Sequence, residues 1–252
     1  MPFPNFPNKW KDPSFTTPAA HLAYYKSIGM VPKEKPPHTF IFGFVGKFLQ
    51  ETEKFFRLEK AYGTFENFHY FKDHPGFAIG DLGIGAPLNV EKMELLSVWG
   101  VKRFLILGIA GGLQKNLALG EIILVDKAIR DEGTSYHYVA PEKYAYPDPD
   151  LFKKLFHTFQ KNKVYCRVGS VWTTDAIYRE TRSEQKQYES ENIVAVDMET
   201  SALFAVAKYL KKEIAGVLVI SDDHTRDKWE INFYQEKTLQ GLHQALKILL
   251  KV

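Results

Sequence analysis

Two pairs of acidic residues stand directly after apolar runs, where they can serve the fold or serve chemistry. In IVAVDMETSALFAVAKYL (residues 193–210), Asp197 and Glu199 lie between a short buried-strand pattern and a helical pattern. On that helix Met198, Ser201, Ala202, Ala205, Val206 and Tyr209 share one face of mostly small residues. Acids at a helix start cap free amides and complement the macrodipole. A carboxylate there can equally accept hydrogen bonds from vicinal sugar hydroxyls, and one acid can serve each purpose. In AGVLVISDDH (residues 215–224), Asp222, Asp223 and His224 follow another apolar run. Two adjacent acids are accounted for by a solvated turn. A carboxyl buried at a pocket rim would instead keep its proton and could donate it to a leaving base.

A third segment, RFLILGIAGG (Arg103–Gly112), runs from a buried-strand pattern into glycines. Gly108, Gly111 and Gly112 do not fit the G-x-G-x-x-G dinucleotide pattern, so they read either as a tight turn or as a place where a ligand approaches the backbone.

The elements needed to position these residues follow from the rest of the chain. Strands are expected at Thr39–Val45, in FHYFK and GFAIGDLG on either side of a turn at His74–Gly76, and at Arg103–Gly112, Glu121–Ile129, Val164–Trp172, Ile193–Val196 and Ala215–Ser221. Helices are expected near Ala19–Ser27, over Phe48–Ala61, from Pro87 to Gly100, and over Asp150–Asn162, Ser183–Glu191, Met198–Leu210 and Ile231–Leu250. Such alternation implies a three-layer α/β/α sandwich around a mixed, largely parallel sheet. In such sheets ligands bind where strands end. Residues 1–37, rich in proline, read as an arm preceding a domain over 38–252.

Composition narrows the function classes. With 252 residues, 45% of them apolar, the chain can bury a substantial core. A net charge of +3 gives no argument for nucleic acid or a membrane surface as partner. Cys166 stands alone, without a second thiol for a disulfide or a cysteine metal site. No cluster of metal ligands is evident. The N-terminus MPFPNFPNKW lacks the apolar run of a secretion signal, and no stretch is long enough to span a bilayer. These features lead to the expectation of a cytoplasmic protein.

Five ordered segments resemble the nucleoside phosphorylase superfamily: DLGIGAP (Asp81–Pro87), LGIAGGL (Leu107–Leu113), RDEGTSYHY (Arg130–Tyr138), WTTDAIYRE (Trp172–Glu180) and VAVDMETSALFAVA (Val194–Ala207). The likeness covers roughly Thr39 to Leu250, and the acid-Met-Glu helix start is its most specific part. It implies that Glu199 holds the ribose hydroxyls, with Met198 packed on the sugar and Asp197 beside them. Asp222 matches the acid that protonates a purine ring nitrogen. Ile177 and Tyr178 would lie near the base. Gly43, Lys47 and Gly108 would contact phosphate. The implied activity is phosphorolysis of a purine nucleoside or analogue to free base and pentose 1-phosphate. Inorganic phosphate would be co-substrate, with no other cofactor and no metal, in a homodimer or a hexamer of dimers.

The sequence departs from the family at the phosphate side. Ile106 replaces an arginine and Ile109 a serine or threonine, and FGFVGK lacks a Gly-Asp-Pro pattern. Burying phosphate against isoleucine without donors is costly. Arg130, Arg179, Arg182 or a neighbouring subunit's Lys60 could substitute. Hydrolysis by water and nucleoside binding without turnover are the two other readings that stand. RDEGTSYHY is read as bringing His137 towards the pocket, against the alternative of a locally paired surface loop.

Overall fold

The computed structural model describes residues 6, 8–43, 46–65, 68–81, 83–225 and 228–252, with the side chains of Gly46, Lys47 and Asp81 left out. In chain order the elements are α1 (Pro18–Ser27), β1 (Thr39–Gly43), α2 (Gly46–Thr52), β2 (Leu58–Lys60), β3 (Phe68–Phe71), β4 (Phe77–Asp81), α3 (Ala86–Trp99), β5 (Arg103–Gly112) and β6 (Ile122–Asp131). They continue as β7 (Tyr144–Ala145), α4 (Pro149–Lys161), β8 (Arg167–Thr174), α5 (Arg182–Ser190), β9 (Ile193–Asp197), α6 (Thr200–Leu210), β10 (Glu213–Asp223), β11 (Glu230–Ile231) and α7 (Glu236–Leu249).

The sheet is mixed, as the alternation of elements predicts. β4, β1, β5 and β10 run side by side in parallel, extended at one edge by antiparallel β3 and β2. Beyond β10 the order continues antiparallel to β6, then parallel through β8 to β9, and β9 returns to pair antiparallel with β5. Five strands thus close on one another, a feature that alternation alone does not reveal.

Strand side chains alternate between two cores because successive residues point to opposite faces. Phe40, Phe42, Phe104, Ile106, Leu218 and Ile220 pack on the face covered by α3 and α6. Ile41, Leu105, Leu107, Val217 and Val219 pack on the other face with α4 and α7. Helix ends carry identifiable stops. Asp148 accepts from the amides of Asp150 and Leu151, Thr181 and Glu184 form a capping box, and Gly100 closes α3 at φ +136°.

Three expected elements differ. The helix expected over Phe48–Ala61 ends at Thr52, and Leu58–Lys60 instead forms the edge strand β2. There Phe56 packs edge-on against Phe71, so the apolar spacing that reads as helical serves the sheet margin. The last helix starts at Glu236 rather than near Ile231, because Ile231 pairs with Asp222 across β10 and β11. The glycines at 108, 111 and 112 form no turn: all lie inside β5, which runs unbroken to Gly112.

Candidate active site

The strand ends carrying the two acid pairs meet. Gly111 of β5 pairs with Val196 of β9 on one side and Asp222 of β10 on the other. Between Ile220 and Asp222 the register with β5 slips by one residue, leaving Ser221 as a bulge immediately before the acid. Bulges re-aim side chains at strand ends. A cavity of about 150 Å³ lies here, lined by Asp197, Met198 and Glu199 from one strand end and by Ser221, Asp222 and His224 from the other. Ile109, Ala110 and Gly111 form its floor, Ile177 and Glu180 a third side, and Ile84, Phe233 and Tyr234 complete it.

The two acids of the first pair divide the roles that the sequence leaves open. Asp197 Oδ1 accepts from the Thr173 hydroxyl at 2.6 Å. Its Oδ2 accepts from the Thr200 amide at 2.9 Å and the Thr200 hydroxyl at 2.5 Å. Protein donors therefore occupy both oxygens, and Asp197 serves as the cap of α6 although it precedes the first helical residue by three. The Gly85 amide donates to Glu199 Oε1 at 2.6 Å, and the Glu199 carboxyl lines the cavity. Burial raises both groups, opposed at Asp197 by Thr173 and Thr200. At Glu199 burial and the neighbouring charge of Asp197 together push the value up to about 8, against the amides of Gly85 and Met198.

The second pair divides likewise. Asp223 accepts from the amide and hydroxyl of Thr225, an Asx-type turn. Asp222 turns inward and is 3% exposed. Its Oδ1 accepts from the Ser221 hydroxyl, and its Oδ2 from Trp229 Nε1 and His224 Nε2, all at 2.6 Å. His224 Nδ1 lies 3.1 Å from Glu180 Oε2. Desolvation lowers the imidazole pKa, but the hydrogen bonds and charges of Asp222 and Glu180 outweigh it and raise it to about 9. Thus the cavity has a carboxyl that holds a proton at neutral pH on one wall and an anchored imidazolium on the other. That is the equipment for gripping a hydroxylated group and protonating a leaving group.

Several expected site residues lie elsewhere. The Tyr178 side chain is 86% exposed and does not line the cavity, because it follows Ile177 in a single tight turn that points the two apart. Gly43 pairs with Asp81 and Leu107, and Gly108 with Leu218, both inside the sheet and away from the lining. The Lys47 side chain falls outside the described residues. Ile106 points into the core packed by α3 and α6, whereas Ile109 reaches the cavity. Arg130 is engaged by Ser135 and the Ala140 carbonyl, and Arg182 bonds the His224 carbonyl at 2.7 Å from outside. Among the described residues no lysine or arginine lines the cavity.

His137 is not brought to this site. It sits with Lys9, 2.9 Å away, in a separate groove of about 880 Å³ between the N-terminal arm and α3. Sequence reasoning missed Glu180, Trp229, Phe233 and Tyr234. Phe233 and Tyr234 lie in a stretch expected to be helical, Trp229 lies just before it, and nothing in the spacing of Glu180 links it to His224. Among the described residues no group of three or more His, Cys, Asp or Glu has metal-holding geometry. No described helix is long and apolar enough to cross a membrane.

Comparison with known proteins places this arrangement. The family model described as "Phosphorylase superfamily" matches residues 62–252, and the chain belongs to that superfamily. It is 32% identical over 136 residues to a guanosine phosphorylase of Halorubrum lacusprofundi, covering 54% of this chain and 56% of that protein. It is 30% identical over 142 residues to a DeoD-type purine nucleoside phosphorylase of Bacillus cereus, covering 56% and 60%. The chain therefore spans little more than half the length of these curated relatives. In fold it is similar to a uridine phosphorylase of Vibrio fischeri, with TM-score 0.75 and 23% identity over 88% of this chain and 93% of that one. It is also similar to a Toxoplasma gondii purine nucleoside phosphorylase crystallised with immucillin-H, with TM-score 0.72 and 20% identity over 88% and 90%.

Proposed function

We propose that this protein cleaves the N-glycosidic bond of a purine nucleoside or close analogue by phosphorolysis, giving free base and pentose 1-phosphate. One observation carries the reading: Glu199, just before α6, and Asp222, in β10, face a single cavity. The names of the relatives, a guanosine phosphorylase and a purine nucleoside phosphorylase, support it. In this reading Glu199 takes the sugar hydroxyls, Met198 packs on the sugar, and Ile177 and Phe233 flank the base. Bond breaking builds positive charge on the sugar and negative charge on the base. The carboxyls oppose the first, and a proton delivered at Asp222 removes the second, an effect worth about 10²–10⁴ in rate. The cavity is smaller than the ~300–1,000 Å³ usual for ligand sites.

In this reading the cation that holds phosphate is on Lys47, in α2. Residues 38–252 act as the catalytic unit, and the arm over 1–37 covers a groove or a contact in a cytoplasmic homo-oligomer. A second reading, hydrolysis, is favoured by the lack of lysine or arginine in the described lining. Incubating a panel of nucleosides with and without phosphate, and following free base, separates the two. Base release that requires phosphate supports phosphorolysis, and release without it supports hydrolysis. Tight binding with no release refutes both.

A further inference from the structure

Three side chains at the base end of the cavity form a line: Glu180, His224 and Asp222. Their side chains are 6%, 7% and 4% exposed. They come from three places in the chain: the turn after β8, the segment after β10, and the end of β10 itself. Asp222 Oδ2 lies 2.6 Å from Nε2, and the buried Glu180 Oε2 lies 3.1 Å from Nδ1. From α5, Gln185 Nε2 is 3.3 Å from Nδ1 and Arg182 reaches only the backbone carbonyl. The Trp229 ring stands edge-on at 5.8 Å. The strand glycine is part of the same construction: a Cβ on Gly111 would lie 2.4 Å from His224 Nε2 and 3.1 Å from Asp222 Oδ2.

We propose that the proton given to the departing base is stored on His224, with Glu180, His224 and Asp222 acting as a relay in which Asp222 passes on what the imidazolium supplies. This rests on the glycosidic-cleavage reading above. Asp222 accepts from three donors, which makes it acceptor-only in the resting protein. The mobile proton at this wall is therefore on the imidazole, which two flanking carboxylates keep charged above neutrality. As the glycosidic C–N bond breaks, its electron pair moves onto the base. The Asp222 carboxylate takes the proton from His224 Nε2 and passes one to a base nitrogen, so it ends as the carboxylate it began as. The neutral imidazole keeps its Nδ1 proton towards Glu180 until solvent restores the other.

The test uses the full chain and two substrates: an ordinary purine nucleoside, and one alkylated at N7, whose base already carries the positive charge that protonation would supply. His224→Gln should lower kcat/KM for the ordinary nucleoside about 10²-fold or more, while the alkylated one loses less than about tenfold. Glu180→Gln removes one flanking anion and should move the alkaline limb of the kcat/KM profile down by about 1 pH unit or more. Equal losses on both substrates, or an unmoved alkaline limb, overturn the relay. Should the wild-type chain cleave neither substrate, the functional reading fails, and NMR titration of the His224 ring still decides the relay's premise. A midpoint near 9 that falls in Glu180→Gln supports it, and a midpoint near the ordinary 6.5 overturns it.

Discussion

Replacing Glu199 by glutamine should stabilise the protein at alkaline pH while removing the glycosidic cleavage proposed for it. The reason lies in where the proton sits. Burial and the nearby Asp197 raise the Glu199 carboxyl from an ordinary 4.5 to about 8. Between those values the folded state binds a proton that the unfolded chain has released. Wild-type stability therefore falls as pH rises from about 4.5 to about 8, and is fully reduced above that window. At about 1.4 kcal/mol per pH unit the whole interval corresponds to about 5 kcal/mol. Because Asp197 shares the effect, one substitution should recover about 2–4 kcal/mol. Glutamine keeps an oxygen for the Gly85 amide and imitates the neutral acid, so little changes at low pH. Urea unfolding of both proteins from pH 5 to 9 measures the difference, which should grow from near zero to this value. His224 titrates in both proteins and cancels in the comparison. A difference independent of pH would refute the assignment of the proton to Glu199. Loss of nucleoside cleavage in the same variant would show that a residue costing stability is retained for its chemistry.

Asp197→Ala should act in the opposite sense, costing about 2–4 kcal/mol in urea unfolding, since Thr173, Thr200 and the first amides of α6 lose their acceptor. Gly111→Ala drives a methyl into His224, and should cost about 1–3 kcal/mol and shift the His224 ring signals in NMR spectra. Unshifted signals would count against the packing of the strand glycine on this pair. Gly63→Ala, at φ +70° with the Met30 carbonyl 2.1 Å from the new Cβ, should loosen the α1 segment, seen as faster amide exchange over residues 18–30. His224 contributes stability present below about pH 6.5 and lost as pH rises through about 9, so His224→Gln should flatten that part of the stability profile.

Much of this architecture is legible in the chain because periodicity and strand breaks are local signals. Glu121–Ile129 reads as a strand and β6 occupies Ile122–Asp131, and the Pro87–Gly100 reading meets α3 at Ala86–Trp99. Closure of five strands is not legible, since the pairing of β9 with β5 depends on contacts more than 80 residues apart. Nor can composition distinguish the members of each acid pair. Asp197 and Glu199 are alike as sequence, yet one meets two threonine side chains and the other backbone amides. Asp222 and Asp223 differ because one bulged residue, Ser221, changes the side from which the strand presents them. The helical reading fails over residues 231–235 because Ile231 pairs with Asp222 in β11 and Phe233 and Tyr234 line the cavity.

The charge arrangement of the cavity carries the argument one step further. Glu199 holds a proton at neutral pH, and the imidazolium offsets only one of the two carboxylates beside it, so the described wall is net negative. Such a wall favours positive charge developing on a sugar and disfavours an incoming anion. If phosphate attacks, its compensating cation must come from outside that wall, which is where Lys47 or a neighbouring copy would contribute. Water makes no such demand. The electrostatics that favour breaking the bond are therefore separate from those that would select the nucleophile, and the replacement of an arginine and a hydroxyl by Ile106 and Ile109 bears only on the second.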